Sequence, residues 1–296
     1  MTNNISFFLY FSLINRFSIL IAMGESERYP ISLNAVNVVC FKIDWDERML
    51  NVLLVKRSIN PQKNKWSLPG GFVQNDETLE EAARRIFIKE TGIAPSYLSQ
   101  FRTYSSTKRD KRSTQYTDEK TRVITTAFTA IYTKNEDLQL DDDSEDIRWF
   151  KIPRRYLTRY IPENMAFDHY DMLLDASNRL RISLEYSGLA TRFLPEHFTL
   201  GQIQDIYEII WEVELDPANF REKLTNVEGW IKESKTGPKD AEPRRGKPPT
   251  WYKEHDIPQF ERMITNPNGA VIREKESEYQ KNLDNLTGEI PVVKPT

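Results

Sequence analysis

Trp66 to Ile93 reads WSLPGGFVQNDETLEEAARRIFIKETGI, and its punctuation sets the architecture of the chain around it. A short β-prone start at Trp66 runs into Gly70-Gly71, and a helix follows. Thr78 and Glu81 make a capping box, Leu79, Ala82, Ala83, Ile86 and Phe87 recur at helical spacing, and Gly92 supplies the C-terminal stop. Glycines let backbone approach a ligand closely, and the helix behind them sets side chains three and four apart on one face. This is the layout of a pyrophosphate-binding element.

Upstream, LNAVNVVCFKI (Leu33–Ile43) and MLNVLLVKR (Met49–Arg57) are rich in Val, Leu and Ile and are split by Asp44-Trp45-Asp46-Glu47, which predicts a β-hairpin. Asn60 to Lys65 is a loop into the strand at Trp66. Downstream, strands are expected at Ser99–Tyr104, Arg122–Tyr132 and Ile147–Phe150, with the charged run SSTKRDKRSTQYTDEKT (105–121) as an exposed loop. A long helix is expected from Met165 to about Leu184. Strands, helix, more strands and a closing helix predict a mixed sheet between helices, an α/β/α sandwich.

Beyond residue 190 the pattern changes. FTLGQIQDIYEIIWEV (Phe198–Val213) places Leu200, Ile203, Ile206, Tyr207, Ile210 and Trp211 on one helix face. After a break at Glu214-Leu215, Asp216 is placed as an N-cap and Pro217 as a first-turn proline of a short second helix. Helix, tight turn and short helix outline a helix-turn-helix. GWIKESKTGPKDAEPRRGKPPTWYK (229–253) then has the form of a β-hairpin wing, and Tyr207, Trp211 and Phe220 read as core. Residues 221–253 hold nine Lys or Arg against five Asp or Glu, although the whole chain has a net charge of -3. Phosphate contacts need such a local excess of cations, and bases are read by a few side chains of the second helix. Asn219, Arg221 and Lys223 on that helix, with Arg244, Arg245 and Lys247 in the wing, are the DNA-binding candidates.

The 296 residues suffice for about two domains. The expected division is an N-terminal extension over 1–22, a ligand-binding domain over 30–185, a winged helix-turn-helix over 190–255 and a polar tail over 256–296. Ile5–Met23 is apolar but is split by Asn15-Arg16, which makes a poor membrane span, so Met23 is the expected natural start and no membrane association is expected. The single cysteine, Cys40, lies in an apolar run and reads as a buried small hydrophobe. One cysteine permits no intrachain disulfide and fits a reducing, cytoplasmic setting. His169 follows a helix start and is expected to bond locally, while His197 and His255 show no zinc pattern.

Gly71, Glu77, Arg85, Glu90 and Gly92, led by Leu68-Pro69-Gly70-Gly71, resemble the Nudix box of hydrolases that cleave nucleoside diphosphates linked to another moiety. In that family three glutamates hold Mg²⁺, which clamps the pyrophosphate and activates water. Their positions are taken here by Ile86, Lys89 and Glu90, so two carboxylates are replaced and Glu90 is the remaining candidate metal ligand. Arg85 and Glu77 read as a loop–helix brace, with Glu90 the third remnant of the catalytic set.

With the winged helix added, the chain resembles the Nudix-related transcriptional regulators. The similar residues include Phe198-Thr199-Leu200, Ile203-Gln204, Tyr207-Glu208, Asn219-Phe220-Arg221, Gly246-Lys247-Pro248, Tyr252 and Ala166-Phe167-Asp168-His169. Arg109-Asp110, followed by Lys111-Arg112, is a longer version of the family's Arg-Asp-Pro-Arg segment.

The resemblance implies a homodimer on a double-stranded DNA operator and a nucleotide-sugar (ADP-ribose-like) or sugar-derived effector held by Gly70, Gly71, Lys89, Glu90, Arg109 and Arg122. It implies no required cofactor, Mg²⁺ entering only with residual hydrolysis. The alternatives are an ADP-ribose-type pyrophosphohydrolase with an accessory C-terminal domain and a protein-interaction module in which neither site works.

Overall fold

The computed structural model describes residues 32–92, 94–107, 109, 111–114, 117–133, 144–153, 160–238, 249–255 and 264. The expectations for residues 1–22, for Arg244, Arg245 and Lys247, and for nearly all of the C-terminal tail lie outside them.

β1 (Leu33–Asp44) and β2 (Met49–Arg57) form the expected antiparallel hairpin, with Phe41 opposite Val52. β1 also runs parallel to β7 (Thr117–Tyr132), with Val38 opposite Phe128, which makes the sheet mixed. β3 (Trp66–Ser67) and β8 (Ser144–Lys151) pair with β2, β4 (Gly70–Phe72) pairs with β1, and β5 (Tyr97–Tyr104) pairs with β7, all antiparallel.

Alternation along the strands divides two cores, because successive side chains point to opposite faces. Val36, Val38, Cys40, Leu53, Phe128 and Ala130 pack with Ala82, Ala83, Ile86 and Phe87 of helix α1 (Leu79–Thr91). Val39, Phe41, Ile43, Val52, Leu54 and Ile131 pack on the other face against Met172, Leu173, Ala176 and Leu180 of α2 (His169–Tyr186). The expected α/β/α sandwich is therefore present. Cys40 is fully buried, and burial pushes its thiol pKa up.

Three expectations are corrected. The run 105–121 is not all loop: Lys111–Thr114 forms β6, which pairs antiparallel with a β7 that begins at Thr117 rather than Arg122. The β-prone Thr residues of this run suit a ribbon, and its charges masked that signal. The long helix starts at His169, not Met165, because Met165 bridges Trp66, Ala166 donates its N–H to the Trp66 carbonyl at 2.7 Å, and Phe167 has φ of 52°. Finally, His169 makes a distant hydrogen bond rather than a local one, described below.

A 3₁₀ turn (Gly188–Phe193) leads from α2 to α3 (Leu200–Trp211), capped by a Thr199–Gln202 box, and then to α4 (Pro217–Thr225), where the Asp216 side chain accepts from the Asn219 N–H at 2.8 Å. β9 (Ile231–Ser234) and β10 (Trp251–Glu254) form the antiparallel wing. Phe198 and Tyr252 exchange backbone hydrogen bonds of 3.0 and 2.8 Å, which ties the wing to the chain just ahead of α3.

Tyr207 makes edge contacts with Trp211 and Phe220, and these rings join the same apolar core that α2 buries against the sheet. No helix among the described residues is long and apolar enough to cross a membrane.

Candidate functional site: a cationic cavity beside the glycine turn

The glycine turn, the end of α1 and the start of α2 enclose a cavity of about 300 Å³. Gly70 is required by the sheet: a Cβ there would stand 2.8 Å from the Val36 carbonyl oxygen and would collide with Asn37. On Gly71 it would stand 3.1 Å from Ile86 Cδ1. Both glycines thus serve close packing of the turn against β1 and α1, and the cavity lies beside that packed turn.

The brace between loop and helix is formed by Glu77 and Arg85. Arg85 Nε donates to Glu77 Oε2 at 2.7 Å and Nη2 to Oε1 at 2.5 Å, while Nη2 also reaches the Phe72 carbonyl at 3.2 Å. Glu77 accepts the Gln74 N–H at 2.8 Å, and the Arg85 guanidinium foremost holds its carboxyl down to about 2. With these bonds made, Glu77 is committed to holding the turn.

Arg109 enters the cavity from the segment before β6 and is held from several sides. Asp168 takes its Nε and Nη2, the latter at 2.7 Å, and Nη1 donates to Thr125 Oγ1 at 2.8 Å and to the Tyr104 carbonyl at 3.2 Å. This commitment explains a local irregularity. Asp168 stands at the N-cap of α2 yet makes no side-chain cap bond, because both its oxygens face Arg109.

Next to it, the buried His169 accepts the Leu68 N–H on Nδ1 at 3.0 Å, which leaves the ring proton on Nε2. Burial lowers its pKa to about 3, against a smaller opposing pull from Asp168. The histidine is neutral at physiological pH.

Among the residues expected to bind ligand, Gly70, Gly71, Lys89, Glu90 and Arg109 line this cavity, and Arg85 joins them. Arg122 does not line it; its Nε donates to Ser32 Oγ at 3.2 Å. Sequence reading missed Arg57, whose Nε donates to the Pro61 carbonyl at 3.1 Å and whose guanidinium lies 5.3 Å from the Phe167 ring centre. It also missed Asn37 and Thr125. A signal existed, since Ala35 with Asn37, Val55 with Arg57, and Val123 with Thr125 line the cavity as pairs two residues apart on a strand.

The residues present do not suit a magnesium site. Glu90 is the single carboxylate lining the cavity, and among the described residues no group of three or more His, Cys, Asp or Glu could hold a metal ion. Ile86 is buried against Gly71 and offers no oxygen.

In the second module Asn219, Arg221 and Lys223 are all exposed on α4, whose Phe220 and Leu224 are buried. At about 100° per residue, Arg221 and Lys223 flank the outward face on opposite sides and Asn219 lies closer to its middle.

A Nudix sandwich joined to a winged helix is the class of protein that this fold and site define. The NUDIX domain family matches residues 33–171, and the NrtR DNA-binding winged helix domain matches residues 190–253. The chain is 32% identical over 206 residues to the ADPR responsive transcriptional repressor NtrR of Acinetobacter baylyi, covering 69% of this chain and 76% of that protein. It is also 32% identical over 156 residues to the ADP-ribose pyrophosphatase of Methanocaldococcus jannaschii, covering 53% of this chain and 81% of that enzyme. Among solved structures, NrtR of Shewanella oneidensis superposes with a TM-score of 0.63 at 26% identity, covering 79% of this chain and 100% of that one. The chain belongs to the family of Nudix-related transcriptional regulators.

Proposed function

We propose that this chain is a ligand-responsive transcriptional regulator whose Nudix-like cavity binds a nucleotide sugar of the ADP-ribose kind and whose winged helix binds a double-stranded operator as a homodimer. The observation that carries the ligand half is the lining of the cavity: Arg57, Arg85, Lys89 and Arg109 surround it with one carboxylate, Glu90. That arrangement suits a polyanion and supplies too few carboxylates for metal-assisted hydrolysis. Residues 30–185 carry effector binding and residues 190–255 carry DNA binding. Action on an operator fits the cytoplasmic setting expected from the single cysteine.

On α4, the flanking positions of Arg221 and Lys223 suit phosphates on the two walls of a major groove, and Asn219 suits a base edge. A ligand alters operator affinity only if it binds the DNA-competent and DNA-incompetent geometries unequally. Fluorescence anisotropy with DNA from upstream of the protein's own gene tests the proposal. Binding should fall steeply with salt, change on addition of ADP-ribose, and drop by about tenfold or more in Arg221→Ala. Equal affinity for unrelated DNA at every salt concentration would remove the regulator reading. AMP release from ADP-ribose that is lost in Glu90→Gln would replace it with the hydrolase.

A further inference from the structure

Ile86, Lys89 and Glu90 all line the cavity from α1, at spacings of three and four residues that put them on one helix face. The Ile86 side chain is 4% exposed and packs on Gly71, so hydrocarbon fills the space between helix and turn. Lys89 is exposed one residue before Glu90 and brings an ammonium to the same wall. Mg²⁺ requires near-octahedral oxygen ligation and gives up its own water reluctantly, so it is held by carboxylates together with substrate phosphates. A face on which an ammonium stands beside the one carboxylate, with a buried alkyl group in place of another, repels the cation. A lysine, in contrast, is a compact point charge with three donors that reach phosphate oxygens directly.

Arg85 is held by Glu77 and Arg109 by Asp168, which fixes both as walls of the cavity. Lys89 is an exposed side chain on a four-carbon stem that lines the same cavity.

We infer that this chain binds the diphosphate of its nucleotide ligand without a divalent metal, the Lys89 ammonium standing where a metal would stand. The inference rests on the reading of the cavity as a nucleoside-diphosphate site. Its consequence is a receptor whose response is insensitive to the concentration of Mg²⁺.

Calorimetry of the full chain with ADP-ribose, in EDTA and in excess Mg²⁺, tests it. The two affinities should agree within about twofold, and Lys89→Gln should weaken binding in EDTA by about tenfold. Lys89 is exposed, so this variant keeps its fold, as an unchanged urea midpoint without ligand would verify. The double variant Ile86→Glu/Lys89→Glu should bind ADP-ribose only when Mg²⁺ is present. Strict dependence of the unaltered chain on Mg²⁺, or full affinity in Lys89→Gln, would overturn the inference and leave the cavity reading standing. Absence of ADP-ribose binding under both conditions would overturn both.

Discussion

Asp168 and His169 are neighbours in sequence and divide two tasks at the cavity. Asp168 gives up its capping role to grip Arg109, and His169 gives up its charge to accept the Leu68 N–H. The second exchange has a pH signature. Below the ordinary pKa of 6.5 an unfolded chain takes up a proton on this histidine, while the folded chain excludes it until about pH 3. The unfolded state therefore binds more protons, and stability falls as pH drops through that window. Glu77, with a carboxyl held at about 2 against an ordinary 4.5, contributes stability that is lost only below pH 4.5. Urea titrations between pH 6.5 and 4.5 should thus isolate the histidine: the decline in midpoint should flatten in His169→Asn, whose side-chain oxygen can still accept from Leu68. An unchanged slope would refute the buried neutral ring.

At the scale of elements, the glycine turn is held by shape as much as by chemistry. Gly70→Ala places a methyl 2.8 Å from the Val36 carbonyl oxygen and into Asn37, which should cost about 1–3 kcal/mol by overpacking. A fall in urea midpoint together with loss of ADP-ribose binding would show it; wild-type stability would contradict the pairing of β4 with β1.

These same elements show what local sequence conveys. Thr78 and Glu81, and Asp216 with Pro217, cap the helices that their spacing predicts, because capping is settled within four residues. The brace of Glu77 with Arg85 was legible for a related reason, its partners lying eight residues apart across one loop. Alternation with Val55 set Arg57 on one face of its strand but could not show a cavity there, and nothing near Leu68 pointed to a histidine partner 101 residues away. Those contacts exist only once β2 and the glycine turn have met the start of α2. The β6 ribbon was hidden by its charges, and the late start of α2 by the bridge of Met165 to Trp66, a contact between segments about a hundred residues apart.

Across the whole molecule, α2 begins at the cavity and ends against the helix-turn-helix. Its first residue lines the cavity, and near its far end Tyr207 donates to the Leu184 carbonyl at 3.0 Å while Trp211 Nε1 donates to the Arg181 carbonyl at 3.0 Å. The reverse bond, from Arg181 Nε to the Ile210 carbonyl at 3.2 Å, closes the seam. Arg48, in the β1–β2 turn, adds an exposed pair of contacts to Asp205 and Glu208 of α3 at 2.7 and 3.0 Å.

Since one apolar core continues from the sheet through α2 into α3 and α4, far-ultraviolet and tryptophan signals should report a single shared urea transition. Tyr207→Phe, which leaves a buried carbonyl without its donor, should lower stability by about 1 kcal/mol and shift both signals together. Two separated transitions would disprove the shared core.

The seam between α2 and α3 also sets terms for exchanging parts between regulators. A winged helix grafted onto a different sensor would lose the carbonyls of Arg181 and Leu184 that receive its Trp211 and Tyr207. The transferable unit is therefore the DNA-reading module together with the last two turns of the helix that feeds it, and a new specificity must be spliced within α2 rather than at the linker after it.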